Sequence, residues 1–562
     1  TVKGQFSVTK KYSKSEKFID PLSSKTSVTG SKDNNLAGDL YTTNGESLDW
    51  NSNTFLYYTR SFNQQHNLNV SAGWEAASGT TESTNAHYRG FPSGEFHSLN
   101  YAAEVYKKPT RTENTTRRVS VLASANYTWN DIYLVDASVR FDGSSEFGAN
   151  QKWAPFFSGG LGVNIHNYDF FKSNGYINKL KLRASYGRTG KVNFPAYAAT
   201  TMYETLFDEW YITGYGAVLK ALGNKDLTWE KTDKLSVGIE TKTFHDRLTV
   251  DFEYYYNKTI DLVNDVTLSQ TSGFSTYKDN MGQVANKGVE LKLRADIYRD
   301  RNWNVALWGN MAHNKNEILK ISDSQKAYNE RVAAYYKNEA LYQETLGLSH
   351  GAEYSVPLPQ YEEGASLTSI WAVRSLGIDP TTGKEIFLNR DGSIADKWNA
   401  AQEVVVGNTE PKCSGAFGLN LSYKNWTLFA SFLYEWGGQE YNQTLVNNVE
   451  NADLVNKNVD LRVLTDRWKK PGDIAQFKDI KDRGMTTLPT SRFVQDKALV
   501  RLNSLNVSYD FNRDWIKKHL RMNLLRLEAS TSDLINWSSI KQERGLSYPR
   551  SWKVEFSLKA QF

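Results

Sequence analysis

The sequence predicts an all-β protein: a transmembrane, antiparallel, up-and-down β-barrel with short turns on one rim and long loops on the other. Three observations predict it. Apolar and polar residues alternate along the chain in segments of roughly ten residues, the spacing of a strand with two chemically different walls. Tight turns alternate with long polar stretches, as turns and loops do around such a barrel. Aromatic residues make up 13% of the chain, and many gather beside the tight turns, where a membrane interface favours amphipathic rings.

Composition narrows the classes further. Across 562 residues, 67 Lys+Arg face 62 Asp+Glu, a net charge of +5. That leaves no basic surplus for a polyanion, so nucleic acid is not an expected partner. The single cysteine rules out a disulfide framework within the chain and any multi-thiolate metal site. Mean hydropathy is −0.58, and no apolar run approaches the length of a membrane helix, which leaves barrel strands as the spanning element. The first residue is Thr1 and not Met, so a processed or incomplete chain is expected.

The elements follow in order. Strands are expected from about residues 1–12 onward. Val119, Val121, Ala123, Ala125, Tyr127 and Trp129 alternate with Ser120, Ser124, Asn126 and Thr128. After a turn at Asn130-Asp131 the pattern resumes with Tyr133, Val135, Ala137, Val139 and Phe141. Phe244-His245-Asp246 and Asp300-Arg301-Asn302 mark two further tight turns, and Lys424-Asn425 another. Strands are read at 247–258, 287–298 and 551–562, and long loops at 80–115, 190–229, 262–286, 317–367 and 438–496. Residues 323–343 are the one helical-looking piece, around Ala327, Val332, Ala333 and Leu341. The alternation gives about 18 strands in all. Tyr127, Trp129, Tyr133, Tyr423, Trp426, Tyr509 and Phe511 lie where the short turns begin, as an interfacial girdle would.

A soluble β-sandwich alternates in the same way, but loops this long are uncommon inside a compact domain. Charge then assigns the walls. Asp136, Arg140, Asp251, Glu253, Glu290, Lys292, Arg294, Asp296, Lys553 and Glu555 share the polar side of their strands. A Lys or Arg at mid-bilayer costs about 2–4 kcal/mol, so this wall is expected to face the lumen. Val119, Leu248, Val250, Leu291, Val554 and Phe556 are then expected to face lipid.

Several local sequences resemble the SusC/RagA family. They are Arg140-Phe141-Asp142-Gly143-Ser144-Ser145-Glu146-Phe147-Gly148, then Leu180-Lys181-Leu182-Arg183-Ala184-Ser185-Tyr186-Gly187-Arg188-Thr189-Gly190, then Asn224-Lys225-Asp226-Leu227-Thr228-Trp229-Glu230. Asn286-Lys287-Gly288-Val289-Glu290-Leu291, Asp466-Arg467-Trp468 with Pro471-Gly472-Asp473, Val500-Arg501-Leu502 and Ser547-Tyr548-Pro549-Arg550 continue the series. The resemblance implies a TonB-dependent outer-membrane transporter of Bacteroidota, importing a glycan or peptide beneath a SusD-like surface lipoprotein. It also implies a barrel of roughly 22 strands with a plug in its lumen, on which TonB pulls. Residues 1–562 resemble only the barrel domain, without the plug and first strands, so about four further strands are expected to come from outside these residues.

No catalytic set, metal site or cofactor site is read in the sequence. The histidines, among them His66, His87, His97, His245, His350 and His519, lack zinc spacing and are placed in turns and loops. Cys413 has no histidine partner at a motif spacing and is expected to be a buried, inert thiol. Asp142-Gly143-Ser144-Ser145, Asp379–Gly383 and Asp391-Gly392-Ser393 are read as tight turns, without the repeated carboxylates of a calcium loop. Substrate or partner contact is expected at the loop aromatics Trp210 and Tyr211, with Tyr215, and at Tyr335 and Tyr336, with Tyr342. A passive porin or a structural barrel remains the alternative to an importer. A soluble carbohydrate-active enzyme lacks the paired carboxylates it needs.

Overall fold

In the computed structural model an antiparallel meander runs through the chain in sequence order. Residues 24, 27–35, 173–174, 193, 268–275, 281, 324, 328, 331–359, 455–458, 482–486 and 542–550 lie outside the description. The strands are β1 (Val2–Ile19), β2 (Asp39–Phe62), β3 (His66–Arg89), β4 (Glu104–Trp129), β5 (Tyr133–Ser144) and β6 (Trp153–Asn164). Then come β7 (Ile177–Lys191), β8 (Glu230–Thr243), β9 (Leu248–Ile260), β10 (Gly282–Arg299), β11 (Trp303–Ile321) and β12 (Cys413–Tyr423). The last are β13 (Trp426–Tyr441), β14 (Val494–Asp510), β15 (Leu524–Thr531), β16 (Asn536–Ser538) and β17 (Val554–Gln561).

Together they form one 17-stranded sheet, against the roughly 18 strands expected. Because β15 and β16 both pair with β14, along separate stretches, they share one place in the ladder. Among the described residues β1 pairs only with β2, and β17 only with β15.

The alternation read in the sequence becomes two walls. Val135, Leu161, Ala184, Val237, Tyr254 and Val289 stand side by side on successive strands. One residue on, Asp136, Gly160, Ser185, Ser236, Tyr255 and Gly288 form the matching row of the other wall. Val139, Leu161 and Phe556 are exposed on the apolar wall. Leaving such a belt bare in water is unfavourable, and acyl chains cover it without cost. Among the described residues the buried apolar clusters lie where loops leave the sheet.

The tight turns fall where the sequence puts them. Asn130 and Asp131 both have positive φ, as do Phe244, His245, Asp246 and Lys424. Asp300 accepts the amides of Asn302 and Trp303 at 2.7 Å each. Rings on neighbouring strands meet beside these turns: Trp129 and Tyr133 at 5.2 Å, Trp303 and Tyr423 at 4.2 Å, Trp426 and Tyr509 at 4.8 Å.

The long loops needed more correction. Residues 80–115 are mostly strand: β3 reaches Arg89 and β4 starts at Glu104, so both run far beyond the about 9–11 residues a bilayer crossing takes. In that stretch Thr81, Glu82, Ser83, Thr84 and Asn85 are polar on both faces, because both faces meet water, and the alternation vanishes while the hydrogen bonding continues. His87 is therefore a strand residue. Its ring contacts Asp39 at 2.7 Å and stacks on Tyr41.

The other loops carry structure of their own. Met202–Tyr211 pairs with Gly214–Ala221, and Val263–Thr267 with Thr276–Asn280. A small sheet of Ser369–Ile378, Glu385–Leu388, Ile394–Ala395 and Glu403–Asn408 stands between β11 and β12. Asp142-Gly143-Ser144 ends β5, so the loop starts only at Ser145. Cys413 is half-buried, its sulfur 3.8 Å from the Tyr434 hydroxyl. Of the proposed helix at 323–343, a turn is seen around Lys326, whose amide donates to Ser322, and 331–343 lies outside the described residues.

Candidate functional site

Two surfaces gather the chemically distinctive side chains: the polar wall of the sheet, and the lobe built by its long loops.

On the wall, Arg183 of β7, Gly238 of β8 and Glu253 of β9 are consecutive partners in register. The guanidinium crosses β8 to reach Asp251 at 3.0 Å and Glu253 at 2.6 Å. Gly238 permits this, since a Cβ there would lie 2.7 Å from the Arg183 Nε. A row further on, Tyr255 crosses Gly288 and donates to Asn314 Oδ1 at 2.9 Å. Asn314 and Asn316 both donate to Asn286 Oδ1, and Glu410, from the loop, accepts from the Asn314 side chain and the Asn316 amide. Arg140 likewise spans β4, reaching Glu75 at 2.9 Å over the small Ser120, which also accepts from it at 2.9 Å. Each bridge ties together three strands, and the two arginine bridges also neutralise charge on a wet surface.

These bridges gather part of the expected polar set. Glu253 and Glu290 are opposite each other and line one cavity of about 550 Å³, with Ser185, Ser236 and Tyr255. Lys292 stands opposite Asp251, and Arg294 lies 3.3 Å from Asp296 on the same strand. Glu555 is far along the sheet on β17 and pairs with Lys553, which precedes the first residue of that strand. Arg183 and Asn286 stood in motifs that carry the family resemblance but had no role assigned, and Tyr255 was not singled out, because their partners lie on other strands. For Arg183 and Tyr255 the visible signal was a glycine in the strand each one crosses, Gly238 and Gly288.

The lobe joins two loops distant in sequence. Arg492 donates to Glu385 at 2.9 Å and to Glu450 at 2.7 Å, and Thr490 donates to Glu385 at 2.6 Å. Burial opposes the charge on Arg492, but the two carboxylates more than offset it and hold its pKa above the ordinary value. Trp398 and Trp468 add indole bonds to the carbonyls of Pro489 and Pro380. Arg467 donates to the carbonyls of Val463, Lys478 and Glu450, and burial lowers its pKa. Asp466-Arg467-Trp468 is thus a brace beneath the lobe, beside the cluster of Val446, Val449, Val463, Phe477 and Phe493. In the small sheet, burial pushes the Glu403 carboxyl up to about 7, against the opposing pull of Gln360 and Arg390.

Two other quoted motifs meet at the loop ends of β5 to β8. Phe147 stacks on Trp229 at 4.2 Å, Leu227 is fully buried beside them, and the Gly148 amide donates to the Leu227 carbonyl.

Of the loop aromatics, Tyr211 and Tyr215 are exposed on the hairpin at 202–221, with Tyr203 and Phe207. Phe207 packs edge-on to Tyr215 at 5.6 Å, and Lys108 sits over its ring. The Trp210 backbone pairs with Tyr215, while its side chain lies outside the described residues. So do Tyr335, Tyr336 and Tyr342 entirely, and the motif at Ser547–Arg550.

The family described as "TonB dependent receptor-like, beta-barrel" matches residues 4–515. The chain belongs to the TonB-dependent receptor β-barrel family. TonB-dependent receptor P39 of Formosa agariphila is 26% identical over 92% of the chain and 53% of its own length. SusC of Bacteroides thetaiotaomicron is 29% identical over 43% of the chain and 25% of its own length. Among solved structures, the RagAB peptide transporter superposes with a TM-score of 0.79 at 22% identity, over 96% of the chain and 56% of that structure's chain, a likeness of fold. The chain spans about half the length of the curated relatives it matches, 53% and 48% for two from Formosa agariphila. As a receptor barrel of this family it is an outer-membrane protein, its short turns on the periplasmic rim and its loop lobe outside the cell.

Proposed function

We propose that this chain is the barrel portion of an active importer for a glycan or peptide nutrient. Substrate would pass along the polar wall of a lumen lined by Glu253, Glu290, Lys292, Arg294 and Glu555. A plug in that lumen would receive energy from TonB, and the barrel itself would perform no bond chemistry. The observation that carries the reading is the family match across residues 4–515. A wall of mixed charge, braced so that its groups stay paired, is what a wide, plugged lumen needs. Among the described residues β1 and β17 each have one edge without a partner, and such edges cannot rest in lipid, which supports further strands completing the barrel.

A SusD-like lipoprotein is the proposed partner on the loop rim. Exposed Tyr211, Tyr215 and Phe207 support contact there with that partner or with substrate. RagAB, which shares this fold, is a peptide transporter, and peptide is the substrate class to test first, with glycan second. The test is uptake of labelled peptide and oligosaccharide pools by cells carrying the whole gene, with and without TonB and the neighbouring lipoprotein. Uptake that needs both is the expected result. Diffusion-like uptake unaffected by loss of TonB would leave a passive pore.

A further inference from the structure

The periplasmic connection between β14 and β15 is not a tight turn. It carries a helix, α1 (Arg513–Leu520), capped by the Asn512 side chain, which accepts from the amides of Asp514 and Trp515. Arg521 ends it in the left-handed conformation at φ 54°. At helical spacing Trp515, Ile516, His519 and Leu520 share one arc, while Lys517, Lys518 and Asp514 occupy the other side. Among the described side chains of α1, Ile516 is the buried one, and α1 rests on β15. Trp515 and Leu520, at 50% and 40% exposed, flank that contact uncovered. The apolar arc is therefore wider than the sheet beneath it.

The location says what covers it. The connection leaves β14 at Phe511, whose ring meets Tyr509 at 5.1 Å, and Tyr509 in turn meets Trp426. The helix is thus continuous with the aromatic girdle at the periplasmic boundary of the membrane. Lys517, Lys518 and Arg521 are exposed beside it, and their positive charge complements the negative charge of phospholipid phosphates. We propose that α1 is an interfacial anchor on the periplasmic leaflet, with Trp515 and Leu520 at the acyl boundary and Lys517, Lys518 and Arg521 on anionic phospholipid headgroups. It would add to the aromatic girdle in fixing the height of this side of the barrel in the membrane.

The test uses the full transporter in nanodiscs of phosphatidylethanolamine, with or without phosphatidylglycerol. A fluorophore is placed by Trp515→Cys or Lys518→Cys on a Cys413→Ser background, and quenching by nitroxide-bearing lipids is compared with quenching by iodide. The label at 515 should be quenched several-fold more by lipid nitroxide than by iodide. Phosphatidylglycerol should raise lipid quenching at both positions, and in the protein labelled at 515 K517E with K518E should remove that increase while heat-modifiable mobility of the barrel stays unchanged. Iodide quenching that ignores lipid composition would overturn the proposal. So would protection appearing only when periplasmic protein is added, because the occupant would then be a protein.

Discussion

Arg183 and Glu253 sit on strands that do not pair with each other, yet the guanidinium lies 2.6 Å from the carboxylate, across Gly238. The glycine converts a ladder of neighbour pairs into a three-strand brace. Any side chain at 238 must displace the arginine. Gly238→Leu is therefore expected to lower barrel stability by about 1–3 kcal/mol, through a displaced charge and a crowded wall. Urea titration in detergent measures it. A double-mutant cycle of R183A and E253A should show a coupling of only about 0.5–1 kcal/mol, because both groups are about a third exposed.

The two walls differ in what they tolerate. Leu291→Arg places a charge on the apolar wall and should cost about 2–4 kcal/mol, whereas Lys292→Leu, one residue on, should cost under about 1 kcal/mol. Folding yield into liposomes across a urea series compares them. Equal costs would contradict the assignment of lumen and lipid faces.

Arg492→Met leaves Glu385 and Glu450 buried without their cation. Breaking a buried pair from one side costs about 3–5 kcal/mol, and here the loss should fall on the lobe, not the barrel. Hydrogen exchange should rise across 369–408 and 442–481 while β4 to β9 stay protected.

Glu403 makes the small loop sheet sensitive to pH. Its folded pKa, about 7, lies above the value of 4.5 for an unburied glutamate. Between those values the folded state holds more proton than the unfolded one, so stability is full below pH 4.5 and falls as pH rises to about 7. Exchange at 403–408 should therefore be slower at pH 5 than at pH 7.5 after correction for intrinsic rates. Glu403→Gln should flatten the difference.

The hairpin at 202–221 predicts a binding phenotype. Replacing Phe207, Tyr211 and Tyr215 by Ser should weaken lipoprotein capture or substrate binding at least tenfold, about 1.4 kcal/mol, without changing heat-modifiable mobility. Pull-down and calorimetry with the lipoprotein and with peptide separate the two.

Much of the barrel is legible in the sequence because a membrane strand has a different solvent on each face. Val250 and Asp251 record lipid and water in adjacent positions, and Asn130-Asp131 records the turn geometry locally. Where β3 and β4 rise into water on both faces the record disappears, and 80–115 reads as loop while its backbone remains paired. Helix α1 escapes notice for a related reason: eight residues give barely two turns of periodicity. What only the tertiary structure decided are the partners of charge. Gly238 carries no mark of the arginine crossing it, and Arg492, Glu385 and Glu450 are separated by 107 and 42 residues. Alternation is written by solvent, one residue at a time. Ion pairs depend on which strands and loops become neighbours, and that is fixed only when the sheet and its lobe assemble.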